Sequence, residues 1–373
     1  MSDFAYFLNH SIGQYPGKAA DMTAATAEFA RIWGAGDDSQ WPQVLAARSA
    51  FISLWQDLID APAGTLTTTE SVTAGLYTVL GALPPEMLTG RRVLVSADCF
   101  PSLHFLLAGL AQRRGFTLET VPLRAGENWV REDDLMSRLG PDVALTLVTL
   151  VTSTAGYRAD LDILLPAIHG CGSLVVLDLT QGIGVVPVSL TTLSADIVIS
   201  TSLKWLCGAP GAGILQVATD LLQACAPELR GWFSQPDPFS WDLEGFQYAD
   251  DARRFDAGTP APLAAVASLP GLRWQAGQGC AVLLNHAQGL GDVILDGSRA
   301  LGLTAATPPE RARRGGSVML RLPSDCDPRA VVAGLRAANV YADARGAVLR
   351  LSPGATTTTS DVNRLMSSLR DLL

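Results

Sequence analysis

Charged residues make up only 17% of this 373-residue chain, and they lean acidic: 27 lysines and arginines stand against 36 aspartates and glutamates, a formal net charge of -9. No basic stripe forms along the sequence, which argues against a nucleic-acid partner. The cysteines at 99, 171, 207, 225, 280 and 326 form no CxxC pair, so neither a metal site nor a disulfide framework is expected. No apolar run reaches membrane-spanning length, and the longest, near Leu174 to Leu177, reads as a buried strand. The N-terminus, Met1-Ser-Asp-Phe-Ala-Tyr, lacks the basic start and apolar core of a signal peptide. A reducing cytoplasm, with no membrane and no nucleic-acid partner, is the resulting expectation. Low charge also fits a surface partly buried between subunits.

The chain is long for one compact core, so a large domain with a smaller companion is expected. Apolar runs ending in small or polar residues alternate with amphipathic segments. Arg92–Ser96, 142–151, 173–178, 196–200 and 213–217 read as strands, and 102–114 and 161–169 as helices. That alternation predicts an α/β fold with a mostly parallel sheet covered on both faces, and chemistry at the carboxyl ends of its strands. Between 226 and 262 the texture becomes irregular and rich in aromatics, with Trp232, Phe239 and Trp241 among them. Beyond residue 270 a helical stretch leads to a small α+β unit with strands at 316–322 and 348–351 and helices at 328–338 and 359–372. The expected division is a large domain over 15–255, with 1–14 and 256–373 forming the small domain and a linking helix.

Asp178 closes an apolar strand. A carboxylate in such low-dielectric surroundings suits a cation that must stay protonated, and the pyridinium nitrogen of pyridoxal 5′-phosphate (PLP) is one. Lys204 follows on a loop after the next strand. An amine near a cationic ring and away from water has a lowered pKa, which favours Schiff-base chemistry. Taken singly, these residues also read as a turn-capping aspartate and a surface lysine. Their neighbours change the weighing. Ser200, Thr201 and Ser202 precede the lysine and can bind phosphate, and the glycines of 208–213 let backbone approach a ligand. Upstream, Thr67-Thr-Thr-Glu-Ser-Val-Thr73 opens an apolar helix at 74–83; this reads as an anion site or as an ordinary N-cap. Phe100, at another strand-to-helix turn, can stack on a ring or sit in the core. His104 reads as a helix residue.

In this order the motifs resemble the aminotransferase class V group of fold-type I PLP enzymes, which holds kynureninases, cysteine desulfurases and isopenicillin N epimerase-like proteins. The resemblance runs from about Asn9 to the C-terminus. Thr68-Thr-Glu70 is similar to the group's phosphate segment Gly-Thr-Thr-Glu. Ser153 stands where the desulfurases carry an asparagine near the PLP hydroxyl. Asp178 and Gln181 resemble Asp-x-x-Gln, whose acid pairs with the ring nitrogen, and Ser202-Leu-Lys204 resembles the Schiff-base segment. Arg254-Phe-Asp-Ala-Gly-Thr-Pro260 is close to Arg-Phe-Glu-Ala-Gly-Thr-Pro, in which the threonine, here Thr259, reaches the phosphate of the other subunit. The resemblance therefore implies a homodimer with shared active sites. Leu349-Arg-Leu-Ser-Pro353 resembles the segment whose arginine, here Arg350, clamps a substrate carboxylate, a bidentate task for a guanidinium.

Within the group the texture is nearest to kynureninases. Phe100-Pro-Ser102, Gly231-Trp-Phe233 and Val340-Tyr-Ala-Asp-Ala-Arg345 all have counterparts there, which adds Trp232 to the cofactor-binding candidates. Leu103, Gln181 and Leu203 depart from the kynureninase pattern. No cysteine lies between 341 and 347 to accept sulfur as in a desulfurase. The resemblance implies an enzyme that takes a small-molecule amino-acid substrate, removes a Cα proton through Lys204 and cleaves the side chain as a lyase or hydrolase; aminotransferase and epimerase chemistry use the same residues. The aromatic stretch 232–255 reads equally as substrate pocket or dimer interface.

Overall fold

The computed structural model describes residues 4–373. Strands, in chain order, are β1 (Ala5–Tyr6), β2 (Leu66–Thr69), β3 (Arg92–Ser96), β4 (Thr117–Val121), β5 (Val143–Thr149), β6 (Leu174–Asp178), β7 (Ile197–Thr201), β8 (Gly213–Val217), β9 (Thr304–Ala305), β10 (Val318–Arg321), β11 (Val340–Tyr341), β12 (Asp343–Arg345) and β13 (Val348–Leu351). The α-helices are α1 (Lys18–Trp33), α2 (Gln40–Leu58), α3 (Val72–Leu80), α4 (Pro101–Arg114), α5 (Glu132–Met136), α6 (Leu161–Gly170), α7 (Thr219–Ala224), α8 (Pro262–Gln278), α9 (Cys280–Ala300), α10 (Pro328–Ala337) and α11 (Thr359–Leu372).

Seven strands form the main sheet in the order β2-β8-β7-β6-β5-β3-β4. The five from β7 to β4 run parallel, and β8 and β2 close one edge antiparallel. Strands β5, β7 and β8 are buried along their whole length, as continuous Val/Ile/Leu runs require in a sheet covered on both faces. One apolar cluster on this sheet holds Phe51, Trp55, Leu164, Val175 and Leu272, and another holds Leu76, Leu103, Val93 and Ile197. A third gathers Phe7, Ile294, Leu320, Leu335, Leu349 and Leu365 around the small antiparallel sheet β12-β13-β10-β9 and the parallel pair β1-β11. Helix α8, which the expected division at 255 counts with the small domain, packs on the large core through Ala265, Leu269 and Leu272. The expected helix at 74–83 begins earlier because Ser71 caps it, its hydroxyl accepting from the Ala74 N–H at 3.2 Å, and it ends at Leu80 with Gly81 as its C-cap. The region 226–262 is irregular, broken only by short 3-10 turns. No helix among the described residues is long and apolar enough to cross a membrane.

Helix α8 reaches the loop after β7 at Gly271. A Cβ there would stand 2.7 Å from the Leu206 carbonyl oxygen and 2.8 Å from that of Cys207. Helix propensity favours alanine over glycine by about 1 kcal/mol, but overpacking against backbone costs ~1–3 kcal/mol. Gly271→Ala is therefore expected to lower the melting temperature by a few degrees. Gly277→Ala, in the same helix and with open space around its Cβ, is expected to hold or raise it. Equal shifts of the two variants in a thermal melt would show that the helix does not press on the loop.

Candidate active site

Parallel pairing sets Asp178, at the end of β6, level with Thr149 of β5 and Ile199 of β7. Its side chain is 2% exposed, and Oδ1 accepts from the Thr180 N–H at 2.9 Å. Burial raises its pKa; hydrogen bonding to Thr180 and the Lys204 charge work against that rise. Lys204 stands on the loop after β7, with Nζ 5.4 Å from the centre of the Phe100 ring. Burial pushes its amine down to about 8, and the Asp178 carboxylate opposes this, while Arg350 and Arg345 add to it. The chain contains one other lysine, Lys18, and that amine is held at 2.6 Å by the Gly13 carbonyl.

The lysine loop is fixed by its backbone. The Cys207 N–H closes a turn on the Lys204 carbonyl at 2.8 Å, with Cys207 itself at a φ of 58°. The N-terminal segment crosses here: Gly13 donates to the Leu203 carbonyl at 3.0 Å, and any Cβ at 13 would fall on the Lys204 carbonyl. Thr201 is buried at the end of β7. Ser202 is fully buried, and its hydroxyl donates to the Ala212 carbonyl at 2.7 Å and lies 3.4 Å from that of Ser268. This geometry corrects the expectation that Ser202 holds phosphate: its hydroxyl braces the loop against α8. Burial pushes the thiols of Cys207 and Cys99 up to about 12, so neither is a ready nucleophile.

Thr68 and Thr69 end β2, the edge strand that leads into α3. Arg48 donates to the Thr68 hydroxyl at 2.8 and 3.0 Å, to that of Thr67 at 2.9 Å and to Asp256 at 2.8 Å. Arg48, Thr68, Thr69 and Asp256 line a cavity of about 390 Å³ together with Glu70, Gly258 and Thr259, within the ~300–1,000 Å³ typical of small-ligand sites. Glu70 and Thr259 are exposed. Trp232 is partly exposed in an aromatic cluster with Trp41, Phe233 and Phe239, in edge contacts at 6.2, 4.6 and 6.0 Å; among the described residues no ring contact joins it to Lys204 or Phe100. Ser153 is partly buried and makes no hydrogen bond among those seen in the described residues.

On the small-domain side, Arg350 is 4% exposed and binds Asp343 with both Nε, at 2.8 Å, and Nη2. Asp343 also accepts from His10 Nε2 at 3.0 Å, and Arg350 and His10 hold its carboxyl well below the usual range. Gln181 donates to the His10 carbonyl at 3.1 Å. His104 contacts the Thr120 hydroxyl from the exposed face of α4. Sequence reasoning missed Arg48, His10 and the role of Asp343. Arg48 carried a signal: it shares a buried helix face with Val44, Phe51 and Trp55, where a guanidinium is out of place unless it is paired. Lys204 carried one too, as one of only two lysines.

The donor set fits PLP. Asp178 supplies a buried anion for a ring N–H, Phe100 supplies a ring face 5.4 Å from the Lys204 amine, whose charge burial disfavours, and the start of α3 with Thr68 and Thr69 supplies hydroxyls and N–H groups for phosphate. In cofactor-free protein, the rate at which Lys204 captures PLP is expected to rise with pH and level off above about 8, because only the neutral amine attacks. Asp178→Asn removes the anion that favours the ammonium, so the midpoint should fall. The rise of visible absorbance after mixing measures both; a wild-type midpoint near that of an exposed lysine would contradict the assignment.

Residues 51–365 match the family model Aminotransferase class-V. The chain is 28% identical to the kynureninase of Pseudomonas fluorescens over 334 residues, covering 85% of this chain and 77% of that protein. With the kynureninase of Burkholderia pseudomallei (strain 1106a) it shares 27% over 269 residues, 68% of this chain and 61% of that one. Among solved structures, the apo cysteine desulfurase of Thermococcus onnurineus NA1 superposes with a TM-score of 0.87 at 19% identity, over 99% of this chain and 94% of that chain. The cystine C-S lyase C-DES, solved with its product cysteine persulfide, superposes with a TM-score of 0.86 at 21% identity, over 100% of this chain and 98% of that chain. With most of its length matched to the family model and its sheet built on that plan, the chain belongs to the aminotransferase class-V family.

Proposed function

We propose that this protein is a PLP-dependent enzyme that cleaves the side chain of an amino acid, as a lyase or hydrolase. The observation that carries the reading is the convergence of buried Asp178, the Phe100 ring and the Lys204 amine at the carboxyl ends of β3, β6 and β7. When bound, PLP supplies a protonated ring that withdraws electrons from the bond being broken. Asp178 holds the proton on the ring nitrogen, since a buried carboxylate left without a cation is costly. Phe100, whose ring lies 5.4 Å from the Lys204 amine, would cover one ring face. The start of α3, with Thr68 and Thr69, would receive the phosphate, Arg48 orients Thr68, and Gln181 and Ser153 would hold the ring hydroxyl. Arg350 receives the substrate carboxylate. Lys204, whose amine burial lowers to about 8 so that its neutral form is available near neutral pH, accepts a proton from Cα and returns it to the product.

Support for side-chain cleavage comes from the kynureninase relatives and from the fold shared with a C-S lyase. Leu103 is fully buried in the core of α4 where kynureninases carry an aspartate, and Gln181 is tied to His10. These departures point to a substrate other than kynurenine. Thr259, exposed on the rim of the Thr68 cavity, and the partly exposed Trp232 fit a homodimer in which each subunit completes the other's phosphate site.

Purified protein with PLP is expected to absorb in the visible region, and borohydride should fix the cofactor on the peptide containing residue 204. Lys204→Ala should reduce turnover by at least ~10²-fold, the scale of a lost acid–base group. Incubation with L-cysteine, L-cystine and L-kynurenine should release a side-chain fragment with pyruvate or alanine from at least one of them. Amino transfer that requires a keto acid and releases no fragment would instead make the protein an aminotransferase. Thr259→Ala should weaken PLP retention in dimers; equal retention by diluted monomers would remove the shared-site reading.

A further inference from the structure

The guanidinium of Arg350 is not free to turn. Asp343 is its register partner across the β12–β13 ladder, and the two side chains meet on one face. Asp343 takes the Nε and Nη2 edge, which leaves Nη1 without a hydrogen bond among the described residues. Asp343 is itself held: His10, 2% exposed, lies 3.0 Å away through Nε2. An ionised carboxylate only accepts, so this nitrogen carries the hydrogen. In the neutral ring Nδ1 is then an acceptor, and it receives the Ser352 hydroxyl at 2.6 Å, which Ser317 supports in turn at 2.7 Å. The backbone of His10 also receives Gln181, and three residues later the same segment abuts the Lys204 carbonyl.

We propose that Asp343 and His10 are positioning residues for the substrate carboxylate. Asp343 occupies one edge of Arg350 and presents the edge that carries Nη1 to the ligand, and His10 holds Asp343 from the N-terminal segment that also packs on the lysine loop. A carboxylate competing for the Nε edge would have to displace an anion bound by two partners; one arriving at Nη1 meets an oriented and otherwise unused donor. The inference rests on the reading of Arg350 as the carboxylate-binding residue.

The test uses the PLP-loaded enzyme and the smallest matched pair of probes, glycine and methylamine, which differ only in the carboxylate. The concentration of each giving half of the change in visible absorbance is measured for wild type, Asp343→Asn, His10→Ala, His10→Gln and Arg350→Ala, with a thermal melt of each. Asp343→Asn and His10→Ala are expected to raise the glycine value about tenfold, the effect of losing one oriented hydrogen bond to charge, and to leave methylamine within twofold. His10→Gln, whose amide can still donate to Asp343, should restore most of the glycine affinity. If Arg350→Ala weakens glycine while Asp343→Asn and His10→Ala do not, the positioning proposal fails and the carboxylate reading stands. Equal weakening of glycine and methylamine by Asp343→Asn or His10→Ala would mark the network as structural and also overturn the proposal. If Arg350→Ala leaves glycine binding unchanged, the carboxylate reading falls and the proposal with it.

Discussion

Burial acts in opposite directions on Asp178 and Lys204: it raises the proton affinity of the acid and lowers that of the amine. Their mutual attraction works against both shifts. Around this pair the rest of the architecture makes sense. The central strands β5, β6 and β7 are buried up to their carboxyl ends, so the water that would relax both groups is kept away; β6 delivers the acid, and the loop after β7 delivers the amine. Gly13 on the N-terminal segment and Gly271 on α8 press on the lysine loop where no side chain would fit. The loop is held through its backbone, and the Lys204 Nζ makes no hydrogen bond among the described residues. A reactive lysine needs that division, since it must both bond to a ligand and release it.

The main sheet was legible because its strands are buried on both faces. Continuous runs such as 143–149 cannot alternate with polar residues, and each ends in a residue that changes the texture: Thr149, Asp178, Thr201. Less legible were the edge strands. Neither β2 nor β4 is uniformly buried, and β2 owes its strand to antiparallel pairing with β8, a partner about 150 residues away in sequence. Helices α1 and α2 were unread for a related reason: they pack against α8, far along the chain, and their apolar faces are interrupted by alanines and by the buried Arg48.

The site divides along the same line. Asp178, Lys204 and Phe100 lie at strand ends or in loops following them, where topology alone predicts chemistry. His10 and Asp343 come from segments 333 residues apart, and no local pattern joins them. Ser202 shows the reverse error. A hydroxyl two residues before the lysine suits phosphate by type, but the loop turns it inward, to the Ala212 carbonyl. Residue type constrains what a side chain can bind; the direction of the backbone decides whether it faces the ligand.

The choice of cations sharpens the chemistry. Apart from the four histidines, every basic side chain other than Lys18 and Lys204 is an arginine. A guanidinium stays charged under all ordinary conditions and cannot condense with a carbonyl, whereas an amine lowered toward neutrality can. Arg48 and Arg350 can therefore fix hydroxyls and carboxylates beside an aldehyde without reacting with it. Lys18 is buried, and its amine donates to the Gly13 carbonyl, on the segment that packs against the Lys204 loop. It supports the position of the reactive lysine while being tied down itself. With one lysine tied and the guanidiniums unreactive, Lys204 is the lysine among the described residues whose amine stands beside Phe100 and feels the Asp178 charge, so its choice as the reactive amine is favoured by composition as well as by geometry.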